Sequence, residues 1–327
     1  MVAKVAKRWG GWSVRSMIAV LDIAAGPRLR DVLDSYSHND LRIVDCARSD
    51  EERFRSLLAD AEVVLHVLQR FGRADFEAAP RLRLVQKLGV GVNTIALDVA
   101  AERGVAVANL PGVNASAVVE ATLAGMLAAL RQFPAYHDAT KAGHGWGLAP
   151  SFGEASGEIR GRTVGLIGYG SIASSLAVVL ESLGASVVHH SQRTDRPGWC
   201  PLDELLAKAD VVSLHVPLTP DTDGLMSRDR LALMKKGAVL VNTARGGLVD
   251  QTALVDALRS GALRAAALDV FAHEPVDPSD PLLALPNVVL TPHTAWLTME
   301  TLERCIERAV LNCGRLVAGV DVLHRVV

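Results

Sequence analysis

Residues 163–173, Thr163-Val164-Gly165-Leu166-Ile167-Gly168-Tyr169-Gly170-Ser171-Ile172-Ala173, decide the fold. The first five are apolar or β-branched and read as a buried strand. Gly168-Tyr169-Gly170-Ser171-Ile172-Ala173 has the form G-x-G-x-x-A, and the run SLAVVLESLG (175–184) that follows is helical in pattern. A first glycine permits the tight turn, and a second lets a pyrophosphate come close to the backbone. A small third residue lets helix and strand pack closely. The helix start then offers unpaired N–H groups to phosphate oxygens. Gly168, Gly170, Ser171 and Ile172 are therefore candidate dinucleotide-binding residues, although a glycine pair also occurs in ordinary tight turns.

About twenty residues further on, the second strand of such a unit ends in His189-His190-Ser191-Gln192-Arg193-Thr194. An acid there would bond the ribose 2′-hydroxyl of NAD and repel a 2′-phosphate. Ser191 stands in its place and Arg193 follows, so the sequence favours NADP(H) over NAD(H).

Outward from this turn, β-rich runs alternate with helical patterns along the chain. They are Ile18–Ile23, Val63–Leu68, Leu82–Lys87 and Val105–Ala108, then Thr163–Ile167, Val187–His190, Val211–Val216, Ala238–Asn242 and Ala265–Asp269. Near-continuous apolar strands alternating with helices imply parallel sheets covered on both faces. Residues 115–131 form a helical pattern apolar around most of its circumference, so burial on several sides is expected. Residues 299–317 carry the stripe Leu302, Ile306, Val310 and Leu311. Gln132–Gly161, with Pro134, Pro150 and Trp146, reads as an irregular arm of functional or interfacial use. Because the glycine turn lies mid-chain, the expected architecture is two doubly wound parallel-sheet α/β domains. A Rossmann domain (114–297) is inserted into a flavodoxin-like domain (1–113 and 298–327).

The 327 residues suit two domains. Half of them are hydrophobic, 21% are charged, and 34 basic against 36 acidic side chains leave a formal charge of −2. That balance argues against nucleic acid or an anionic membrane surface as a partner. Cys46, Cys200, Cys305 and Cys313 lack metal-ligand spacing, so no metal site is expected and reduced thiols are. The apolar run after the basic residues Lys4, Lys7, Arg8 and Arg15 is cut short by Asp22. Residues 1–15 thus read as a loose extension, and the expected compartment is the cytoplasm.

Three later segments place polar residues where parallel strands should end: Asn242-Thr243-Ala244-Arg245-Gly246, Asp269-Val270-Phe271-Ala272-His273-Glu274-Pro275, and Thr291-Pro292-His293-Thr294-Ala295-Trp296. Ligands in open α/β sheets bind at those ends. The residue types suit reduction of a carbonyl: an imidazole to give the proton, a carboxylate to orient it, and a guanidinium to hold a substrate carboxylate in bidentate fashion. On chemistry alone His273, beside Glu274, competes with His293 for the role of acid, and Arg245 could be an ordinary ion-paired surface residue.

The ordered series LIGYGSIA (166–173), LHVPLTPDT (214–222), LMKKGAVLVNTARGGLVDQTALVDAL (233–258), ALDVFAHEP (267–275) and PNVVLTPHTA (286–295) resembles the D-isomer-specific 2-hydroxyacid dehydrogenase family. Upstream, KLGVGVNTIALDVAAERGVAVANLPGVNASAVVEAT (87–122) is similar to that family's substrate loop and interdomain helix. The resemblance implies an NAD(P)-dependent enzyme in which Arg245 binds substrate, Glu274 supports the imidazole and His293 is the acid/base. It places Asp269 near the nicotinamide carboxamide, the Val90 and Gly91 amides on the substrate carboxylate, and Val216, Pro217, Thr222, Thr243 and Ala244 along the cofactor cleft. It implies a homodimer built on the arm, and a small 2-keto acid such as glyoxylate or hydroxypyruvate as substrate. Formate is disfavoured, because formate dehydrogenases of this layout carry Gln where Glu274 stands. Trp296 resembles the PHxAW form, in which an indole would wall the substrate; an aromatic of the core or interface is the alternative. A dinucleotide-sensing protein of the corepressor type, and a dehydrogenase of another small anion such as phosphite, are the competing functions.

Overall fold

The structure, a computed structural model, describes residues 16–38 and 40–327. The extension expected over residues 1–15 lies outside the described residues. The chain forms two compact units, one from the described residues through Asn114 together with Thr298–Val327, the other from Ala115–Leu297.

In unit 1, β1 (Met17–Leu21), β2 (Leu41–Asp45), β3 (Val63–His66), β4 (Leu84–Lys87) and β5 (Ala106–Ala108) make a parallel sheet of order β2-β1-β3-β4-β5. This is the flavodoxin-like order. Val20, Val64, Val85 and Val107 point to one face and meet Phe54, Leu58, Phe71 and Phe76. The Phe71 and Phe76 rings pack edge to face, 4.9 Å apart. The returning helix Met299–Val317 buries Leu302, Cys305, Ile306, Ala309, Val310 and Cys313. Leu311, expected in that stripe, is instead 42% exposed. At about 100° per residue the Val310 side faces the core, and Cys305, Ala309 and Cys313 complete the buried face in its stead. Asn312 Nδ2 fastens this helix to β4 by donating to Gln86 Oε1 at 2.6 Å.

In unit 2, β6 (Thr163–Ile167), β7 (Ser186–His190), β8 (Val211–Leu214), β9 (Ala238–Asn242), β10 (Leu263–Leu268) and β11 (Val288–Leu290) form a parallel sheet of order β11-β10-β9-β8-β6-β7. From β6 the chain turns to one side for β7 and returns on the other for β8, so the order reverses at the end of β6. Ligands of open α/β sheets sit at such a switch point. Both faces are covered. Helices Ala115–Arg131 and Ser171–Ser182 place Met126, Leu130, Leu176 and Leu180 on one, and Leu205, Leu206, Leu254 and Leu258 cover the other.

Several elements depart from expectation. Helix Ala115–Arg131 buries Val118, Val119, Thr122 and Met126 on one side. Ala121, Ala124, Gly125 and Ala128 instead line a cleft of about 320 Å³ with Val289 and Ala295. The stretch 132–161 is not wholly irregular: it holds helices Phe133–Lys141 and Pro150–Glu154. Pro134 falls in the first turn of the former, where a missing N–H costs nothing. Strand β2 was not expected, and β11 was implied only by the polar segment that begins at Thr291. Both are sheet edges, half-exposed and without the continuous apolar run that marks a central strand. All four cysteines are free thiols, three of them buried.

Met126 is fully buried between its helix and the sheet. Met126→Ala should lower unfolding free energy by about 2–5 kcal/mol. Urea titration would read this as a lower midpoint at unchanged slope.

Candidate functional site

Gly168 follows β6 directly with φ +93°. A Cβ there would lie 2.4 Å from the His215 carbonyl oxygen, so both conformation and space demand glycine. The Gly168 N–H donates to the His190 carbonyl and the His215 N–H to the Ile167 carbonyl, which binds the turn to the ends of β7 and β8. Gly170 precedes the helix Ser171–Ser182, and a Cβ on it would meet nothing within 4 Å. Open space thus lies over the glycine, beside the first helical amides of Ser171 and Ile172. A pyrophosphate fits such a cradle.

Beyond β7 the loop is stitched back on itself. Trp199 Nε1 donates to the Ser191 carbonyl at 2.9 Å, and Ser191 Oγ donates to the Arg193 carbonyl at 3.1 Å. Arg193 is exposed and Ser191 half-buried. Sequence reading passed over Arg196, whose Nη1 donates to the Tyr169 carbonyl at 3.2 Å and whose guanidinium lies 5.7 Å from that ring. Tyr169 in turn stacks on His189 at 3.8 Å. On the far side, Thr222 Oγ1 donates to the Pro217 carbonyl at 2.7 Å, which closes the loop that begins at Val216. Thr243 bonds through its hydroxyl to Thr122 at 2.8 Å.

Arg245 is placed by a residue to which the sequence assigned no role. Asn242, buried at the end of β9, donates from Nδ2 to the Arg245 carbonyl and accepts from the Ala244 N–H. Gly246 then lets two backbones touch, because a Cβ on it would lie 1.9 Å from the Phe271 carbonyl group. This brings Arg245 beside the segment that carries Glu274. Burial lowers the Arg245 guanidinium from its ordinary value, and Glu274 opposes that effect.

Glu274 Oε1 accepts from the Phe271 N–H at 3.0 Å and Oε2 bonds His293 Nδ1 at 2.7 Å. Burial raises the Glu274 carboxyl, but the bonds from His293 and Phe271, with the nearby Arg245 charge, outweigh it and hold the group below its ordinary value. Of the two candidate imidazoles, then, the structure brings His293 to Glu274; His273 is exposed. Asp269 serves the same loop. Its buried carboxylate accepts from Thr291 Oγ1 at 2.5 Å, the Thr294 N–H at 2.8 Å and the Ala295 N–H at 2.9 Å. His293 adopts a left-handed φ of 56°, a conformation that costs on the order of 1–3 kcal/mol and persists only where neighbours impose it. Trp296 is buried, and its Nε1 donates to the His293 carbonyl at 3.1 Å, so the indole braces the histidine's backbone.

In unit 1, Val90 and Gly91 lie on the exposed loop after β4. The loop's carbonyls are engaged elsewhere: Gly89 by the Leu110 N–H, Val90 by Asn109 Nδ2 and Val92 by the Ile95 N–H. Among the described residues no acceptor meets the Val90 and Gly91 amides. Successive amides left in this way are donors available to an anion. Among the described residues, no group of three His, Cys, Asp or Glu side chains is placed to hold a metal ion. None of the described helices is long and apolar enough to cross a membrane.

Comparison with known proteins bears on this arrangement. Residues 123–295 match the family described as D-isomer specific 2-hydroxyacid dehydrogenase, NAD binding domain. A glyoxylate reductase of Aeropyrum pernix is 41% identical over 251 residues, which is 74% of this chain and 75% of that protein. A hydroxypyruvate reductase of Blautia hydrogenotrophica is 32% identical over 84% of this chain and 88% of its own length. The match to a D-3-phosphoglycerate dehydrogenase of Archaeoglobus fulgidus, 35% identical, spans only 55% of that longer protein. Among solved structures, the TT0316 protein of Thermus thermophilus superposes with a TM-score of 0.84 at 36% identity, covering 95% of this chain and all of that one.

The lowered Glu274 value carries a sign for stability. Its pairing is fully present above the ordinary carboxylate value, about 4.5, and is lost as pH falls through the lower folded value. Glu274→Gln should therefore melt below wild type at pH 7. The gap should close as pH drops below 4.5, which thermal melts across pH 3–7 would follow.

Proposed function

The chain belongs to the D-isomer specific 2-hydroxyacid dehydrogenase family, and we propose that it reduces a small 2-keto acid of the glyoxylate or hydroxypyruvate type to the D-2-hydroxy acid. The observation that carries this reading is the 2.7 Å bond between His293 Nδ1 and Glu274, with Arg245 alongside. The chemistry that a reduced nicotinamide supplies when bound is a hydride for the substrate's C2.

The remaining work falls to this chain. The Nδ1–H of His293 is held by the Glu274 carboxylate, which fixes the ring and directs Nε2 outward. From Nε2 the proton passes to the carbonyl oxygen as C2 is reduced, so that the hydroxyl forms without a free alkoxide. In unit 2, Arg245 is the donor for a substrate carboxylate; in unit 1, the family resemblance gives the Val90 and Gly91 amides as carboxylate donors. Asp269, by bracing residues 291–295, holds His293 in its left-handed turn. By the family pattern it would also stand near the nicotinamide carboxamide. Gly168, Gly170, Ser171 and Ile172 would hold the pyrophosphate, with Val216, Pro217, Thr222, Thr243 and Ala244 along the cleft.

For the coenzyme we favour NADP(H). Ser191 leaves no carboxylate to repel a 2′-phosphate, and Arg193 is exposed next to it. A homodimer is the proposed assembly. Phe133 and Trp146 of the 132–161 stretch are 54% and 90% exposed, an apolar display that a second copy would cover.

His293→Ala should lower kcat about 10²–10⁴-fold while leaving the coenzyme KM near that of wild type, as befits loss of a general acid. Stopped-flow or steady-state oxidation of the coenzyme with glyoxylate and hydroxypyruvate would measure this; surviving activity would remove His293 from its role. The kcat/KM with NADPH should exceed that with NADH. Ser191→Asp should reverse the order by about tenfold or more, the scale of one charge-assisted bond exchanged for repulsion.

A further inference from the structure

Away from the catalytic trio, unit 1 contains a second buried polar assembly. Asp22 follows β1, His66 ends β3 and Lys87 ends β4; they are 2%, 0% and 5% exposed. His66 Nδ1 bonds Asp22 Oδ2 at 2.6 Å, and Asp22 Oδ1 accepts from the Val67 N–H at 2.8 Å. Lys87 Nζ donates to the Val67 carbonyl. The other imidazole nitrogen, Nε2, bonds Thr94 Oγ1 at 2.8 Å. Burial is the main influence on the ring and lowers His66 against the pull of Asp22, which keeps it neutral near pH 7. With Nδ1–H given to the carboxylate, Nε2 is an acceptor and the Thr94 hydroxyl is the donor.

The position of these bonds gives them meaning. The His66 carbonyl accepts from the Leu88 N–H at 2.8 Å, and the His66 ring accepts from Thr94. Leu88 and Thr94 are the two ends of the loop that presents the Val90 and Gly91 amides, so one residue clasps both ends. A buried carboxylate and imidazole are costly to desolvate, and apolar side chains of equal volume would fill a core as well.

We propose that His66, fixed by Asp22 and acting through Thr94, is a positioning residue that sets the Val90 and Gly91 amides to receive the substrate's carboxylate. This rests on the reading of those amides as carboxylate donors given under the proposed function.

The test is steady-state kinetics of wild type, Thr94→Val and Thr94→Ser with glyoxylate and hydroxypyruvate, varying keto acid and coenzyme separately, beside thermal melts. Thr94→Val, which removes the hydroxyl at nearly constant shape, should raise the keto-acid KM about tenfold, or ~1.4 kcal/mol. The coenzyme KM should hold, and Thr94→Ser should restore the wild-type value. Should Thr94→Val not fold, Thr94→Ala takes its place with the same expectation. A wild-type keto-acid KM in the hydroxyl-free variant, with or without a lower melting temperature, overturns the proposal. So does an equal rise in both KM values, or a Ser variant as impaired as the Val one. A wild-type protein that oxidises neither coenzyme with any keto acid overturns the functional reading itself.

Discussion

The carboxylate of Asp269 lies buried past the end of β10 and accepts three hydrogen bonds from the five residues 291–295. Removing an ion from water costs several kcal/mol unless its lone pairs are met, and here the meeting is done by one short loop. The bargain is geometric: with Thr291, Thr294 and Ala295 pinned, His293 between them is forced into a left-handed turn. Only from that turn, with the Trp296 indole on its carbonyl, does its Nδ1 lie against Glu274. Glu274 is in turn placed by the Phe271 amide, and Phe271 by the backbone contact that Gly246 permits. The trio therefore depends on packing and backbone geometry at least as much as on its own side chains.

A common principle orders both sheets. All strands within each run parallel, so every β-to-loop exit lies on one edge of its sheet, and polar side chains collect there: Asp22, His66 and Lys87 in unit 1, Asn242 and Asp269 in unit 2. Strand interiors in both are mainly aliphatic, with Gln86, His189 and Ser213 among the buried exceptions. The chemistry can thus be concentrated at the exits while sheet stability rests on residues that do none of it.

How far this was legible in the sequence differs from residue to residue. The glycine turn was, because its residues are dictated by local conformation and by the His215 backbone next door. Arg245, Glu274 and His293 were recognisable as a series; residue chemistry left His273 and His293 level, the family resemblance chose His293, and the fold brings that residue to Glu274. Asn242 and Arg196 were invisible, since their roles consist of bonds to backbone carbonyls that no spacing rule encodes. Edge strand β2 escaped, and β11 showed only through the polar residues after it, because half-exposed strands lack a continuous apolar run; Leu311 shows that a helical stripe can miss at its margin by one residue. The helices of the 132–161 stretch were missed because its glycines and prolines masked them, one proline in fact opening a helix.

The discontinuity of unit 1 also bears on how the chain comes off the ribosome. Synthesis supplies β1 to β5 first, then the whole of Ala115–Leu297, and only afterwards the helix that buries Cys305, Ile306 and Ala309 and joins Asn312 to Gln86. Unit 2 is contiguous and can close while translation continues. The earlier-made sheet must wait with an apolar face uncovered for almost two hundred residues. The helix 299–317, made after the whole of unit 2, therefore completes a sheet made before it, and that sheet stays open to chaperones and proteases until the helix arrives.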